Sequence, residues 1–469
     1  MCRRNGALVG CLLLLSACKP TAGEAQEYSF ELRTVVSGLE VPWSILWGPD
    51  GWLWCTERPG RISRIHPETG QQQVLLAQIP GLYARGETGL LGMALHPQFP
   101  DSPYVMVAYT TFTTFVELRI VRYRYQRPDT LVGPVVIARD IPVGNIHAGC
   151  RLLPLSDGTV LITVGEGGVP QRSQDLSSPS GKILRLSWDG TVPPDNPLPG
   201  SPIWAWGLRN PQGLARGRFG LLYASEHGAS TDDEINLLQP GRNYGWPAVE
   251  GFCDRPDEQQ FCRDSAVVEP LYAWTPTIAP CGLAYYDSAF SHLPQFRHSL
   301  LLATLKGSTL YQLRLSEDGR QIVEVIPHAL GLGRLRDVLV TPEGRVFVGT
   351  SNRDGRGSPR PGDDRIVELV PKVQKVGEGS LQEVPFLLRQ QGRRLALSAR
   401  GSVQVWVVDA LGRVVASWRG EAGQEWTSGE LAPGWYAVSV VAGMRRWDRK
   451  LVLEPVAWNA GILYPADHH

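Results

Sequence analysis

The chain carries no excess of charge of either sign: 46 Lys and Arg stand against 46 Asp and Glu in 469 residues. That balance offers no basic surface for nucleic acid or for an anionic membrane. Cys-x-x-Cys and His-x-x-x-His spacings are missing, which argues against structural zinc, and no Cys-x-x-Cys-His is present to hold a haem. Sustained helical periodicity is scarce, and beyond residue 18 no apolar run is long enough to read as a membrane span. Glycine, proline and tryptophan are abundant instead, at 51, 37 and 15 residues, a composition that favours turns and aromatic-rich strands. With 43% hydrophobic residues, the chain can build one large domain and a smaller one.

Residues 1–18 read as an export signal: Arg3 and Arg4, an apolar run from Ala7 to Leu15, then Leu-Ser-Ala-Cys18. That ending resembles a bacterial lipobox, which would make Cys18 a lipid-anchor site; an ordinary signal peptide cleaved nearby is the alternative. The location expected is periplasmic, cell-surface or secreted, where Cys55, Cys150, Cys253, Cys262 and Cys281 meet an oxidising compartment. Cys253 and Cys262 bracket a polar loop, Asp254 to Phe261, and are expected to bond to each other.

One phrase recurs: a turn with Pro, Asp or Gly, then an apolar strand, then a polar turn. It falls at Gly48–Glu57, Pro100–Tyr109, Leu155–Thr163, Gly217–Glu226, Phe296–Thr304 and Pro342–Thr350. A second strand usually follows, as at Gly60–Ile65, Gly181–Leu186, Thr309–Leu313 and Arg365–Leu369. Six such hairpins predict an all-β six-bladed propeller with four-stranded blades over residues 28–370, an open solenoid being the competing architecture. Residues 371–385 read as a linker. A clean alternation over 386–455 then predicts a small β-sandwich, with a tail at 456–469.

Candidate chemistry lies between the strands. His147 sits in a glycine-flanked loop ahead of a short strand, where an imidazole can accept a proton. Arg209, Lys306, Arg334 and Arg336 fall at strand ends or in loops that a propeller gathers on one face, and such a cluster of like charge is tolerable only opposite a polyanion.

Together Thr56–Arg61, Gly89–Phe99, His147 with Arg151, Gly181–Arg185, Asp195-Asn-Pro, Gly207–Gly213, Asp233–Asn236, Asn243-Tyr-Gly-Trp-Pro and Pro276–Pro280 resemble the pyrroloquinoline quinone (PQQ)-dependent sugar dehydrogenases. These are the soluble glucose and aldose sugar dehydrogenases, a six-bladed propeller family, and the resemblance spans about residues 35 to 370. It implies oxidation of an aldose or related alcohol with PQQ and calcium, and an external electron acceptor as partner. It implies His147 as general base, with Arg209 and Asn210 beside the quinone carbonyls. Lys306, Arg334 and Arg336 would clamp the cofactor's carboxylates, and Gln174 and Trp274 would stand on its side. Gly228 and Ala229 would hold calcium through backbone carbonyls, Ala229 replacing a frequent Pro.

Two departures bear on substrate. Glu87 stands where glucose-oxidising members tend to have Gln, and Glu166 where Asp is usual, so both are expected to alter substrate contacts. Cys150 and Cys281 lie beside matched motifs, and a disulfide between them would fasten the catalytic loop, leaving Cys55 a buried thiol. Residues from about 385 resemble C-terminal sorting domains of type IX secretion, through Val407–Arg413, Leu431–Tyr436 and Arg449–Leu453, but run on to His469; a carbohydrate-binding or purely structural sandwich is the alternative. Two other functions share the architecture: a calcium-dependent lactonase, which needs acidic metal ligands, and a non-catalytic binding module, which would lack the histidine or the clamp.

Overall fold

The computed structural model describes residues 30–287, 292–372 and, with short interruptions, 386–453. The export signal, Cys18, most of the linker and the tail lie outside the described residues. Two compact units divide at residues 373 and 374.

The larger unit is a β-propeller-like array of six four-stranded antiparallel sheets. Each recurring sequence phrase ends in the second strand of one sheet: Leu53–Glu57, Tyr104–Phe112, Thr159–Val164, Leu222–Glu226, Ser299–Thr304 and Val346–Thr350. Thr159–Val164 and Ser299–Thr304 are buried at every position, so their near-continuous apolar runs reflect packing on both faces rather than one wet face. Apolar clusters fill the gaps between neighbouring sheets. Trp54, Ile62 and Leu90 join the first pair, Tyr223, Leu300 and Leu302 the fourth and fifth, and Ile45, Leu53 and Phe347 the sixth and first.

The sixth sheet is not built from consecutive strands. Leu335–Val340, Val346–Thr350 and Arg365–Pro371 are completed by Phe30–Ser37, which pairs antiparallel from Phe30 opposite Pro371 to Ser37 opposite Arg365. The first strands of successive sheets, Pro42–Trp47, Leu90–Leu95, Gly149–Pro154, Pro211–Arg216, Pro280–Tyr286 and Leu335–Val340, contact one another in cyclic order. Each has an irregular register near its start, as between Pro42 and Ser44 or between Leu335 and Asp337. A bulge there turns side chains out of the sheet plane. Gly92 lies at one of these points, where a Cβ would stand 1.9 Å from the Cys150 carbonyl oxygen, so only glycine lets the two strands approach.

The inner strands are tied by buried charge. Arg151 donates from Nη1 to Asp337 Oδ2 at 3.0 Å and from Nε to the Gln212 carbonyl at 3.1 Å, and its guanidinium lies over the Trp43 ring. Asp337 also accepts the Ile45 N–H at 2.7 Å. Burial pushes the Asp337 carboxyl up, and Arg151 acts against that rise.

Cys253 and Cys262 are bonded, as expected. The segment between them corrects the expectation of a loop, because an α-helix spans Pro256–Ser265, with Pro at its first position, Asp257 and Glu258 in its first turn, and the Glu258 carboxylate accepting the Arg255 N–H at 3.2 Å. The expected Cys150–Cys281 bond is also corrected: both are buried free thiols, as is Cys55. The strand Pro211–Arg216 contacts the strands of both and runs between them; Cys150 donates to the Ala148 carbonyl and Cys281 to Gln212 Oε1 instead.

In the smaller unit, a three-stranded sheet of Phe386–Gln391, Arg394–Ala399 and Glu425–Thr427 and a four-stranded sheet centred on Val403–Asp409 and Gly434–Ala442 share one core. Leu395 and Leu397 meet Val403, Val405, Val407, Val438 and Val440 there.

Asp337→Ala would leave the Arg151 guanidinium buried without its partner and is expected to cost about 3–5 kcal/mol in chemical denaturation. The double change Arg151→Leu with Asp337→Leu should cost less than the single one; an equal or larger loss would show that charge pairing is not what the two side chains contribute.

Candidate active site

A cavity of about 690 Å³ opens where the loops at one end of the inner strands converge. Its wall takes Gly86 and Glu87 from the connection between the first and second sheets, His147 from the next connection, Arg209 from the one after, and Gln212 from the inner strand that follows it. Arg58, Ile146, residues 227–229, Asp233, Thr277, Ala279, Leu305, Lys306, Arg334, Arg336 and the 353–356 turn complete it. Chain segments more than 200 residues apart thus face one space.

His147 is held on three sides. Its backbone has φ +56°, a conformation uncommon for a side chain of this size, and its N–H donates to Glu87 Oε2 at 2.9 Å. Its ring Nδ1 lies 2.9 and 3.0 Å from the two oxygens of Glu166. A carboxylate only accepts, so Nδ1 carries the proton and Nε2 of the neutral ring is the acceptor. Glu166 is itself fixed by the Gly168 N–H at 2.5 Å, and its side chain is 2% exposed. It therefore stands behind the histidine rather than on the cavity wall.

Seven basic side chains line the cavity against three acidic ones. Asp354 is shared by Arg334 at 2.8 Å and Arg336 at 3.5 Å; burial alone would raise its carboxyl, but the two guanidinium groups hold it below the usual range. Glu87 behaves alike: burial pushes it up, while the His147 N–H and Arg356 act against that push and leave it below the usual range, with Arg356 at 2.9 Å. Lys306 donates from Nζ to Thr277 Oγ1 at 2.6 Å. Arg209 lies over the Trp246 ring, its Nε is buried without an acceptor, and the same is true of Asn210 Nδ2 and Trp246 Nε1. Buried donors without acceptors are costly unless a ligand meets them.

The structure brings His147, Arg209, Lys306, Arg334, Arg336, Gly228, Ala229 and Glu87 to one cavity. Asn210 lies just behind the wall, its Oδ1 accepting the Gly149 N–H at 3.1 Å. Gln174 exchanges hydrogen bonds with Asn243 and donates to the Trp246 carbonyl, and Trp274 packs in an apolar cluster with Tyr223 and Leu283, so neither reaches the wall. His227 was not singled out by the sequence. It lines the cavity, meets the Pro280 carbonyl through Nε2 at 2.8 Å, and burial pushes its imidazole down to about 3 against the pull of Glu87. The only signal for it was its place in Ser225–Gly228.

Both implied cofactors fit this donor set. The cationic wall, with the unmet Nε of Arg209 close to it and the unmet donors of Asn210 and Trp246 behind it, suits a ligand with several carboxylates and carbonyls. At Gly228 a Cβ would stand 1.8 Å from the Thr231 carbonyl oxygen, so the 228–232 turn folds tightly on itself, pinned by the Gly228 N–H on Asp233 Oδ1 at 2.8 Å. No hydrogen bond among the described residues ends on the carbonyl of Gly228 or Ala229, leaving two hard oxygens of the kind calcium takes.

A sheet array of this kind with a basic central cavity defines a ligand-binding β-propeller. The Glucose / Sorbosone dehydrogenase family model matches residues 39–359, and the chain belongs to that family. It is similar to quinoprotein glucose dehydrogenase B of Acinetobacter calcoaceticus, 30% identical over 69% of this chain and 86% of that protein. Aldose sugar dehydrogenase YliI of Escherichia coli is 29% identical over 73% of this chain and 96% of its own length. Among solved structures, the PQQ-bound aldose sugar dehydrogenase of Streptomyces coelicolor superposes with a TM-score of 0.65 at 36% identity, covering 74% of this chain and 99% of that one.

Because His227 is kept neutral in the folded chain down to about 3 but takes up a proton near 6.5 when unfolded, the unfolded state binds more protons between these values. Its contribution to stability is therefore lost as pH falls below about 6.5. Denaturation midpoints of wild type and His227→Gln, compared from pH 8 to 4, should converge toward the acid end; parallel curves would show that His227 does not titrate on unfolding.

Proposed function

We propose that this protein oxidises aldose sugars or related alcohols to lactones or ketones, using PQQ and calcium in the central cavity and passing the electrons to an external acceptor. The observation that carries the reading is the basic wall facing the same space as a histidine backed by a carboxylate. On this reading the six sheets are six blades of a closed propeller. When bound, PQQ supplies the hydride acceptor, with calcium polarising its carbonyls.

The chain's own residues hold the ligands and move the proton. Lys306, Arg334 and Arg336 would hold the cofactor's carboxylates, Arg209 would donate to its carbonyls with Asn210 behind it, and the Gly228 and Ala229 carbonyls would ligate calcium. Gln174 acts at one remove, through Asn243 and the Trp246 backbone, and Trp274 supports the sheet beneath. His147 takes the substrate hydroxyl proton at Nε2, and Glu166, bonded to Nδ1, orients the ring and stabilises the imidazolium that results. Glu166 is thus a positioning residue rather than a substrate contact, and Glu87 fixes the His147 backbone from the cavity wall.

A lactonase would need several acidic ligands around a metal, and among the described residues no group of three or more His, Cys, Asp and Glu is placed to hold one. Export, with or without a lipid at Cys18, and a sorting role for the smaller unit rest on the sequence alone.

Full-length protein mixed with PQQ and calcium should shift the quinone absorbance and reduce an artificial dye with one or more aldoses; no shift and no reduction would overturn the reading. His147→Ala should still bind PQQ while losing turnover by about 10²–10⁴-fold. Glu166→Gln should lower kcat more than it raises KM, since it disturbs the base and not the binding wall; the reverse split would make Glu166 a substrate contact after all.

A further inference from the structure

The cofactor reading accounts for Arg209, Lys306, Arg334 and Arg336, and Arg356 is paired with Glu87 at 2.9 Å. Two basic side chains on the wall are left over. Arg58 donates from Nη1 to the Gly86 carbonyl at 2.9 Å and toward the Asp354 carbonyl at 3.5 Å. Arg353 donates from Nε to the Asp363 carbonyl at 2.6 Å. Neither forms an ion pair with any of the described residues. Carbonyls orient a guanidinium but do not neutralise it, and two such charges in one concave wall repel unless an anion lies between them.

Their placement is specific. Arg58 spans the gap between the 86–87 segment and the turn that carries Arg353, the same two segments that Glu87 and Arg356 join. Glu87 also accepts the His147 N–H, so this side of the cavity adjoins the proposed base. With one oxygen on that N–H and the other on Arg356, the Glu87 carboxylate is committed, and Arg58 and Arg353 remain as guanidinium groups without a carboxylate in direct contact among the described residues.

We propose that the preferred substrate is an aldose that bears a carboxylate, a sugar of the uronic-acid type, its acid group held by Arg58 and Arg353. The inference rests on the oxidation proposed above and names the substrate class of that same cavity. Guanidinium forks match the planar carboxylate and hold it with charge-assisted hydrogen bonds. A neutral aldose would leave both forks without a carboxylate in direct contact.

The test uses full-length protein loaded with PQQ and calcium, with D-glucose, D-glucuronate and glucose 6-phosphate as probes. Glucuronate should exceed glucose in kcat/KM by ~10- to 100-fold, the range of one or two charge-assisted contacts. That ratio should shrink as salt rises, because part of the attraction is long-range. Arg353→Gln should reduce the ratio about as far, and calorimetry should show the same loss in glucuronate affinity without reference to turnover. Equal kcat/KM for glucose and glucuronate, a ratio unmoved by Arg353→Gln, or a preference for the phosphate ester alone would overturn the proposal. If no sugar is oxidised, the dehydrogenase reading fails by itself, and the calorimetric comparison of wild type with Arg353→Gln still decides whether the carboxylate is bound there.

Discussion

Mutual repulsion among basic side chains around one cavity is the constraint that the larger unit has to withstand. Seven of them, six carried on loops and Arg336 on an inner strand, face a space of about 690 Å³, and their repulsion works against the convergence of those segments. What resists is apolar packing between neighbouring sheets, together with the buried Arg151–Asp337 pair that joins two inner strands. Asp354 and Glu87 then offset part of the charge locally, each shared between a guanidinium and a second donor or guanidinium. The cavity therefore keeps a net positive field while its wall stays ordered.

The irregular start of each inner strand connects that frame to chemistry. Regular strands would point alternate side chains into the packed gaps between sheets. The register shifts turn Gln212 and Arg336 toward the cavity, while the loops just before them carry His147 and Arg209. His147 is thereby supported from both sides: Glu87 holds its backbone, and Glu166 its ring.

Much of this was legible in the sequence, for identifiable reasons. Each recurring turn-and-strand phrase marks the second strand of one sheet, because that strand is buried on both faces and its turn needs Pro, Asp or Gly. The basic cluster and His147 were legible because they combine residue type with position at strand ends. What stayed hidden depends on partners distant in the chain. Glu166 looked like a substrate contact until its carboxylate was seen against His147 Nδ1. Cys150 and Cys281 looked like a pair until the strand bearing Gln212 was seen between them. The helix at Pro256–Ser265 was the one local signal passed over, its Pro and acidic first turn being read as a polar loop. That Arg58 and Arg353 meet no carboxylate among the described residues depends on where acidic side chains distant in the chain fall.

The pairing of Phe30–Ser37 with Arg365–Pro371 has a consequence for how the molecule is made. A strand synthesised near the beginning must wait for one that leaves the ribosome more than 300 residues later, so the last sheet is completed only when nearly the whole larger unit exists. Until then the early strand has no mate and is exposed to wrong ones. Circular order thus makes biogenesis an event with a single late checkpoint.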